Sequence, residues 1–227
     1  MIRESFNEQL KGLQDDLMKM ADLVDGAIGS AVQSLIDRDA VLAQKVIDED
    51  EEINKAQREI EEKCLVLLAT QQPLASDLRV ILATSGIAYE LERMADHAKG
   101  IAELTLRLAP QPHLKPLIDI PRMAEKGRWL LRQQLEAFLA HDEKRARALA
   151  REDDFMDALY DQIYRELLVF MMEDPRTITR ATYLMWVSHN LERIGDRTTN
   201  IGERVVFMVG GEVVELNPHA RPEERDG

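Results

Sequence analysis

The sequence predicts an all-α protein made of two tandem three-helix bundles, six long helices in all, related by internal duplication. Three observations predict it. The eight prolines are confined to a few places and leave long gaps between them, and a proline inside a helix costs about 3 kcal/mol. Within those gaps apolar residues recur at helical spacing. Ile87, Leu91, Met94 and Ile101 fall on one side of a 3.6-residue wheel, as do Val187, Leu191, Ile194, Ile201 and Val205. Finally, the phrase ELERMADHAKGIAE at 90–103 returns 100 residues later as NLERIGDRTTNIGE at 190–203. Such self-similarity marks a repeated structural unit.

The elements follow in order. Ser5 and Glu8 form a capping-box pattern that opens a first helix, running to about Asp37. Asp39 caps a second helix to about Thr70, which QQP closes at Pro73. Ser76 caps a third, which ends before APQPHLKP. Residues 109–120, with Pro110, Pro112 and Pro116, read as a linker between a first bundle at 1–108 and a second at 121–209. In the second bundle a fourth helix runs from about Pro121 to Leu139 and a fifth from after Asp142 to about Glu173. Pro175 breaks the chain, and a sixth helix spans about Thr177 to Met208. Residues 210–227 form a flexible polar tail. Only a few residues near EVVEL alternate with period two, too few for a sheet.

Composition narrows the function. At 227 residues, 45% apolar but only 5% aromatic, the chain builds a sizeable aliphatic core. A formal charge of −13 argues against nucleic acid, whose phosphates call for a basic patch. The same charge attracts metal cations or a basic protein. Cys64 is the only cysteine, so neither an intrachain disulfide nor a zinc finger is available, and its apolar stripe makes it inert core. The methionines of VFMMEDP read as core filler. No apolar run approaches the roughly 20 residues of a membrane span, and the N-terminus has no apolar leader core. A cytoplasmic protein without direct membrane insertion is expected.

The repeated phrase carries an electrostatic cost. Glu92 with Asp96, and Glu192 with Asp196, are like charges four residues apart on a helix, worth roughly 0.2–0.5 kcal/mol of repulsion each. Glu103 and Glu203 continue the two stripes. On the wheel these stripes lie away from the apolar side, so they are expected to face outward or flank a groove, outside the bundle core. Folding each hairpin about its proline brings further residues level. Asp50 comes level with Asp96 and Asn54 with Glu92; Asp153 comes level with Asp196 and Asp157 with Glu192. Converging carboxylates suit a hard cation. The candidate ligands are therefore Asp50, Asn54, Glu92 and Asp96 in the first half and Asp153, Asp157, Glu192 and Asp196 in the second. Two blander readings stand beside this one: a solvated acidic surface, and salt bridges to Arg93, Arg193 and Arg197. His97 and His189 read as surface residues near the acids. Ala95 and Gly195 occupy the places where a ferritin-like di-iron site would carry histidine. No catalytic nucleophile is evident, so a non-enzyme is expected, and no small-molecule cofactor site is read.

The two phrases, with QQPLASDLR before the first and MMEDPRTI before the second, closely resemble the PhoU family of phosphate-specific transport system accessory proteins. The resemblance spans nearly the whole chain. It implies a cytoplasmic, homodimeric negative regulator of phosphate uptake and of the phosphate-starvation response. Its partners would be the phosphate ABC transporter ATPase and a sensor histidine kinase. It also implies multinuclear metal clusters on paired E/D-x-x-x-D motifs, with iron, or Mg, Mn, Zn or Ca in its place. Asn54 departs from that motif and puts the first site in doubt. Two other readings remain open: a metal-free helical adaptor whose acids meet a basic partner, and a di-metal enzyme.

Overall fold

A computed structural model describes the backbone of residues 2–216 and the side chains from Phe6 onward. Seven α-helices follow in order among them: α1 (Ile2–Asp37), α2 (Ala40–Gln71), α3 (Ala75–Leu108), α4 (Asp119–Ala140), α5 (Glu143–Ala150), α6 (Asp154–Glu173) and α7 (Ile178–Gly210). There is no strand among the described residues. The all-α prediction holds. The one long helix expected after Asp142 is instead split into α5 and α6 by a 3-10 turn, Arg151–Asp153. A tighter turn has three residues where the α-helix has 3.6, so it resets the helical phase. It does so where Asp153 turns inward, 1% exposed.

The expected Asp39 cap forms, and Asp142 adds one that was not expected. The Asp39 carboxylate accepts the backbone N–H groups of Val41 and Leu42, and Asp142 accepts that of Arg145. These bonds satisfy donors that a helix start leaves without partners. Ser76 is not a cap: α3 starts at Ala75 from Leu74, which makes no side-chain capping bond. α1 begins upstream of Ser5, whose side chain lies outside the described residues. Of the expected tail, residues 211–216 have no regular structure, and Leu216 donates its N–H to Glu203 Oε1 at 3.0 Å. Residues 217–227 lie outside the described residues.

α3 and α7 are the central pair. α3 packs on α1, α2 and α7, while α7 packs on α3, α4, α5 and α6. α1 also meets α4, where Arg128 clasps Asp25 through Nε–Oδ1 at 2.9 Å and a second nitrogen to Oδ2 at 2.7 Å. The buried apolar side chains of both halves therefore join into one connected core instead of two separate ones. The residues predicted for the apolar stripes of α3 and α7 are all fully buried within it. The 109–118 segment is tied to both halves: Arg38 donates to the Gln111 carbonyl, Arg180 to that of Pro112, and Lys115 pairs with Glu166.

The two central helices run antiparallel. Arg79 on α3 donates to the Met208 carbonyl near the end of α7, and Arg107 near the end of α3 lies over the Tyr183 ring near the start of α7. Between these, Glu90 accepts from Asn200 at 3.1 Å and from Arg197 at 3.4 Å. His97 Nδ1 meets Asn190 Oδ1 at 3.0 Å. Glu90 and Asn190 are repeat mates, and so are His97 and Arg197. The same contact is thus made twice, once charged and once neutral.

Candidate metal centre

Each hairpin assembles one acidic cluster. The first is built from α2 and α3. Asp50 is 4% exposed, and its Oδ2 accepts from Lys99 Nζ at 2.9 Å and from Asn54 Nδ2 at 3.2 Å. Its Oδ1 is buried and accepts no hydrogen bond. Asp96 Oδ2 pairs with Arg93 on the same helix at 3.0 Å. Glu92 is half-buried and feels its neighbours: burial, then the charges of Asp96 and Asp50, push its carboxyl above the usual range. Glu61 on α2, which local spacing did not single out, adds to that repulsion.

The second cluster is built from α6, the 3-10 turn before it, and α7. Asp153 lies against the α7 backbone: its Oδ1 is 2.8 Å from where a Cβ on Gly195 would stand. Thr199 Oγ1 donates to Asp153 Oδ2 at 3.5 Å. Glu192, 8% exposed, is met by His189 Nδ1 at 3.2 Å, and Asp196 pairs with Arg193 at 3.3 Å. Asp157 is half-buried, one turn along α6 from Asp153.

The hairpins thus bring Asp50 together with the Glu92 and Asp96 helix, and Asp153 together with the Asp196 turn, as the distances from the prolines predict. The expected outward orientation needs correction. Of the two stripes Glu103 is exposed, Glu92, Asp96, Asp196 and Glu203 are half-buried, and Glu192 is buried, because α7 has neighbours on several sides and its covered arc is wider than its apolar stripe. His97 is not a surface residue either. It sits in the α3–α7 contact, where burial, followed by the nearby Arg197, Arg193 and Arg93 charges, holds its pKa down to about 4 despite the Asn190 bond. Met172 is 75% exposed and fills no core. Cys64 is buried as expected, its thiol pushed up to about 11 by burial and by Glu61. Arg93 pairs with Asp96 and Arg193 with Asp196, while Arg197 reaches Glu90 across the α3–α7 contact.

In kind, these donors suit a hard cation: carboxylate oxygens from two helices, with a buried Asp50 oxygen that receives no hydrogen bond. Their placement is looser. Among the described residues, no three His, Cys, Asp or Glu side chains stand where they could together hold a metal ion. Lys99 and Asn54, the residues on Asp50, are the two that sequence reasoning left aside or marked as a departure. Lys99 could have been found, since it follows Pro73 at nearly the distance by which Asp50 precedes it.

Comparison with known proteins agrees with the fold and the repeat. The PhoU domain family matches twice, at residues 17–105 and 120–205. The chain is 37% identical over 211 residues to the phosphate-specific transport system accessory protein PhoU homolog of Rhizobium meliloti (strain 1021), covering 92% of this chain and 89% of that one. It is 35% identical to the homolog of the same name from Clostridium acetobutylicum, covering 96% and 100%. The crystal structure of PhoU from Pseudomonas aeruginosa superposes with a TM-score of 0.86 at 36% identity, covering 91% and 100% of the two chains. That of the phosphate transport system regulatory protein PhoU from Streptococcus pneumoniae does so with 0.86 at 30% identity, covering 92% and 99%. Among the described residues no helix is long and apolar enough to cross a membrane. These relatives are named as accessory or regulatory proteins of phosphate transport. Two domain matches in register with the duplicated acid phrases make the assignment: the chain belongs to the PhoU family.

Proposed function

We propose that the protein is a cytoplasmic negative regulator of phosphate uptake and of the phosphate-starvation response, coupling a phosphate ABC transporter ATPase to a sensor histidine kinase, and working as a homodimer. The observation that carries this reading is the match to phosphate transport accessory proteins along both halves of the chain. The α3–α7 pair gives such a regulator its frame, since it joins the two acidic hairpins through one core. Deleting the gene should raise phosphate-starvation gene expression in phosphate-rich medium, and the protein should recover the transporter ATPase or the kinase in a pull-down. Unchanged expression together with an empty pull-down would overturn the reading.

The acidic clusters add a metal to this proposal. Asp153, Asp157, Glu192 and Asp196 would hold a hard cation on the second hairpin, the bound charge offsetting carboxylate repulsion between α6 and α7. Because the donors stand apart in the described structure, binding has to draw them together. A second reading is favoured by the ion pairs Lys99–Asp50, Arg93–Asp96 and Arg193–Asp196. With its acids already partnered in this way, the protein would act as a metal-free adaptor for a basic partner. Metal content of gently purified protein separates the two. A di-metal enzyme has no such support.

A further inference from the structure

Several helical glycines of this chain have a reason in the packing. Gly29 meets Arg128, Gly86 meets Arg204, Gly127 meets Ile194, and Gly202 leaves room for Gln134. Gly12 and Gly26 do not: a Cβ on either would have nothing within 4 Å. Both lie inside α1, where glycine is destabilising relative to alanine. They stand about four turns apart, roughly 21 Å along the helix, and both open onto the groove that α1 forms with α2. That groove has two hollows. The larger, about 510 Å³, is walled by Leu13 of α1 and by Val66 and Leu67 of α2; the smaller, about 230 Å³, by Leu23, Val46 and Ile53. Val66 is 53% and Leu23 37% exposed. The rims carry one sign. Glu59 and Glu62 flank the larger hollow, and Asp22, Glu49 and Glu52 the smaller. Lys63, which lines the larger, is held by Asp16 across the groove at 2.6 Å. Lys45 and Lys55 offset Glu49 and Glu59, but among the described residues Asp22, Glu52 and Glu62 form no ion pair.

We propose that the α1–α2 groove docks one helix of a partner protein, an amphipathic helix with an apolar stripe flanked by Lys or Arg. The inference stands apart from any reading of the hairpin clusters. An apolar stripe laid along the groove would cover Val66 and Leu23, and the two glycines let its backbone come close to α1. Lys or Arg beside the stripe would meet Asp22, Glu52 and Glu62, whose charges have no counterpart within the chain. With α1, α2 and α3 already packed together, such a helix completes a four-helix bundle. Charge selects against the other occupants. A second copy brings the same acidic rims on a chain of formal charge −13, and an anionic lipid surface would be repelled in the same way.

The probe is a synthetic helical peptide about five turns long, with Leu at i, i+4, i+7 and i+11 and Lys beside them. It is titrated into the full chain in chelator and followed by fluorescence anisotropy. It should bind saturably, and roughly tenfold more weakly once Glu replaces its Lys residues. Gly12→Leu/Gly26→Leu fills both hollows and should abolish binding. Its melting temperature should not fall, because neither position meets a neighbour. Glu52→Lys/Glu62→Lys, on the exposed rim, should weaken binding roughly tenfold. No binding of the Lys peptide, equal binding of the Lys and Glu peptides, or undiminished binding to the filled variant would each overturn the proposal. A lower melting temperature for Gly12→Ala/Gly26→Ala would do so too, since the glycines would then serve the fold. Should the leucine variant fail to fold, the rim decides: unchanged binding by Glu52→Lys/Glu62→Lys refutes the docked helix, and weakened binding supports it. Sedimentation tests the remaining occupant: a wild-type dimer that the leucine variant breaks would give the groove to a second copy and overturn the proposal.

Discussion

Asp153 rests on the backbone of α7 at Gly195, its Oδ1 2.8 Å from the place a Cβ would occupy. Real Cβ contacts of that length essentially never occur, so the absent side chain of Gly195 is what lets Asp153 turn in. Met156 packs on the same spot, its Cγ 3.2 Å from that position. Gly195→Ala should therefore push both away. A helical glycine changed to alanine ordinarily gains roughly 0.5–1 kcal/mol. Overpacking typically costs about 1–3 kcal/mol, and here it opposes and outweighs the gain. The variant should melt lower than the wild type, as calorimetry can show, and a higher melting temperature would mean that Asp153 yields without cost.

The α1–α4 clasp makes a pH-dependent prediction. Burial raises the Asp25 pKa, but the hydrogen bonds and charges of Arg128 and Arg132 more than reverse this and hold the carboxyl below its usual value. A depressed carboxylate contributes stability that is present above the unfolded pKa and lost as pH falls through the folded one. Asp25→Asn should therefore cost about 1–3 kcal/mol near neutral pH, as for lost charge-assisted hydrogen bonds. The difference from the wild type should shrink as the pH is lowered through and below the carboxylate range. Urea titrations across pH measure it, and a constant difference would contradict the assignment.

Glu92 should behave in the opposite sense. Burial first, and then Asp96 and Asp50, raise its folded pKa, so the folded protein binds the proton more tightly than the unfolded chain. Stability is lost as pH rises from the unfolded value through the raised one, and the penalty is complete above it. Glu92→Gln should raise the melting temperature near neutral pH, in chelator, and leave it nearly unchanged in acid. A lower melting temperature at neutral pH would show that Glu92 forms a favourable pair.

Much of the fold could be read from single residues, and what was missed has definite causes. Asp39 was legible as a cap because capping is a local bond, two or three residues long. Helix ends were legible where a proline or the start of the next helix followed closely, not through glycines. The chain turns in the left-handed region at Arg38, Gln72 and His141, which are not the glycines that usually announce such a stop. The 100-residue repeat was visible, but the antiparallel pairing of α3 with α7 was not. It rests on contacts such as Glu90 with Asn200, which no local pattern encodes. For the same reason the acids looked exposed. A helical wheel shows the stripe that one neighbour covers, whereas α3 and α7 are covered from several sides. Lys99 drew no reading from the sequence, because only the folded hairpin sets it on Asp50.

The central claim is that the second acidic cluster holds a hard cation, where the first has Asn54 in place of a carboxylate. Metal per chain decides it most directly, measured for Glu92→Ala/Asp96→Ala and for Glu192→Ala/Asp196→Ala after dialysis against the same Mn2+ concentration. The account predicts that the second pair of substitutions removes nearly all of the bound metal and the first pair removes little. Equal losses from the two variants, or no metal on the unsubstituted protein, would contradict it.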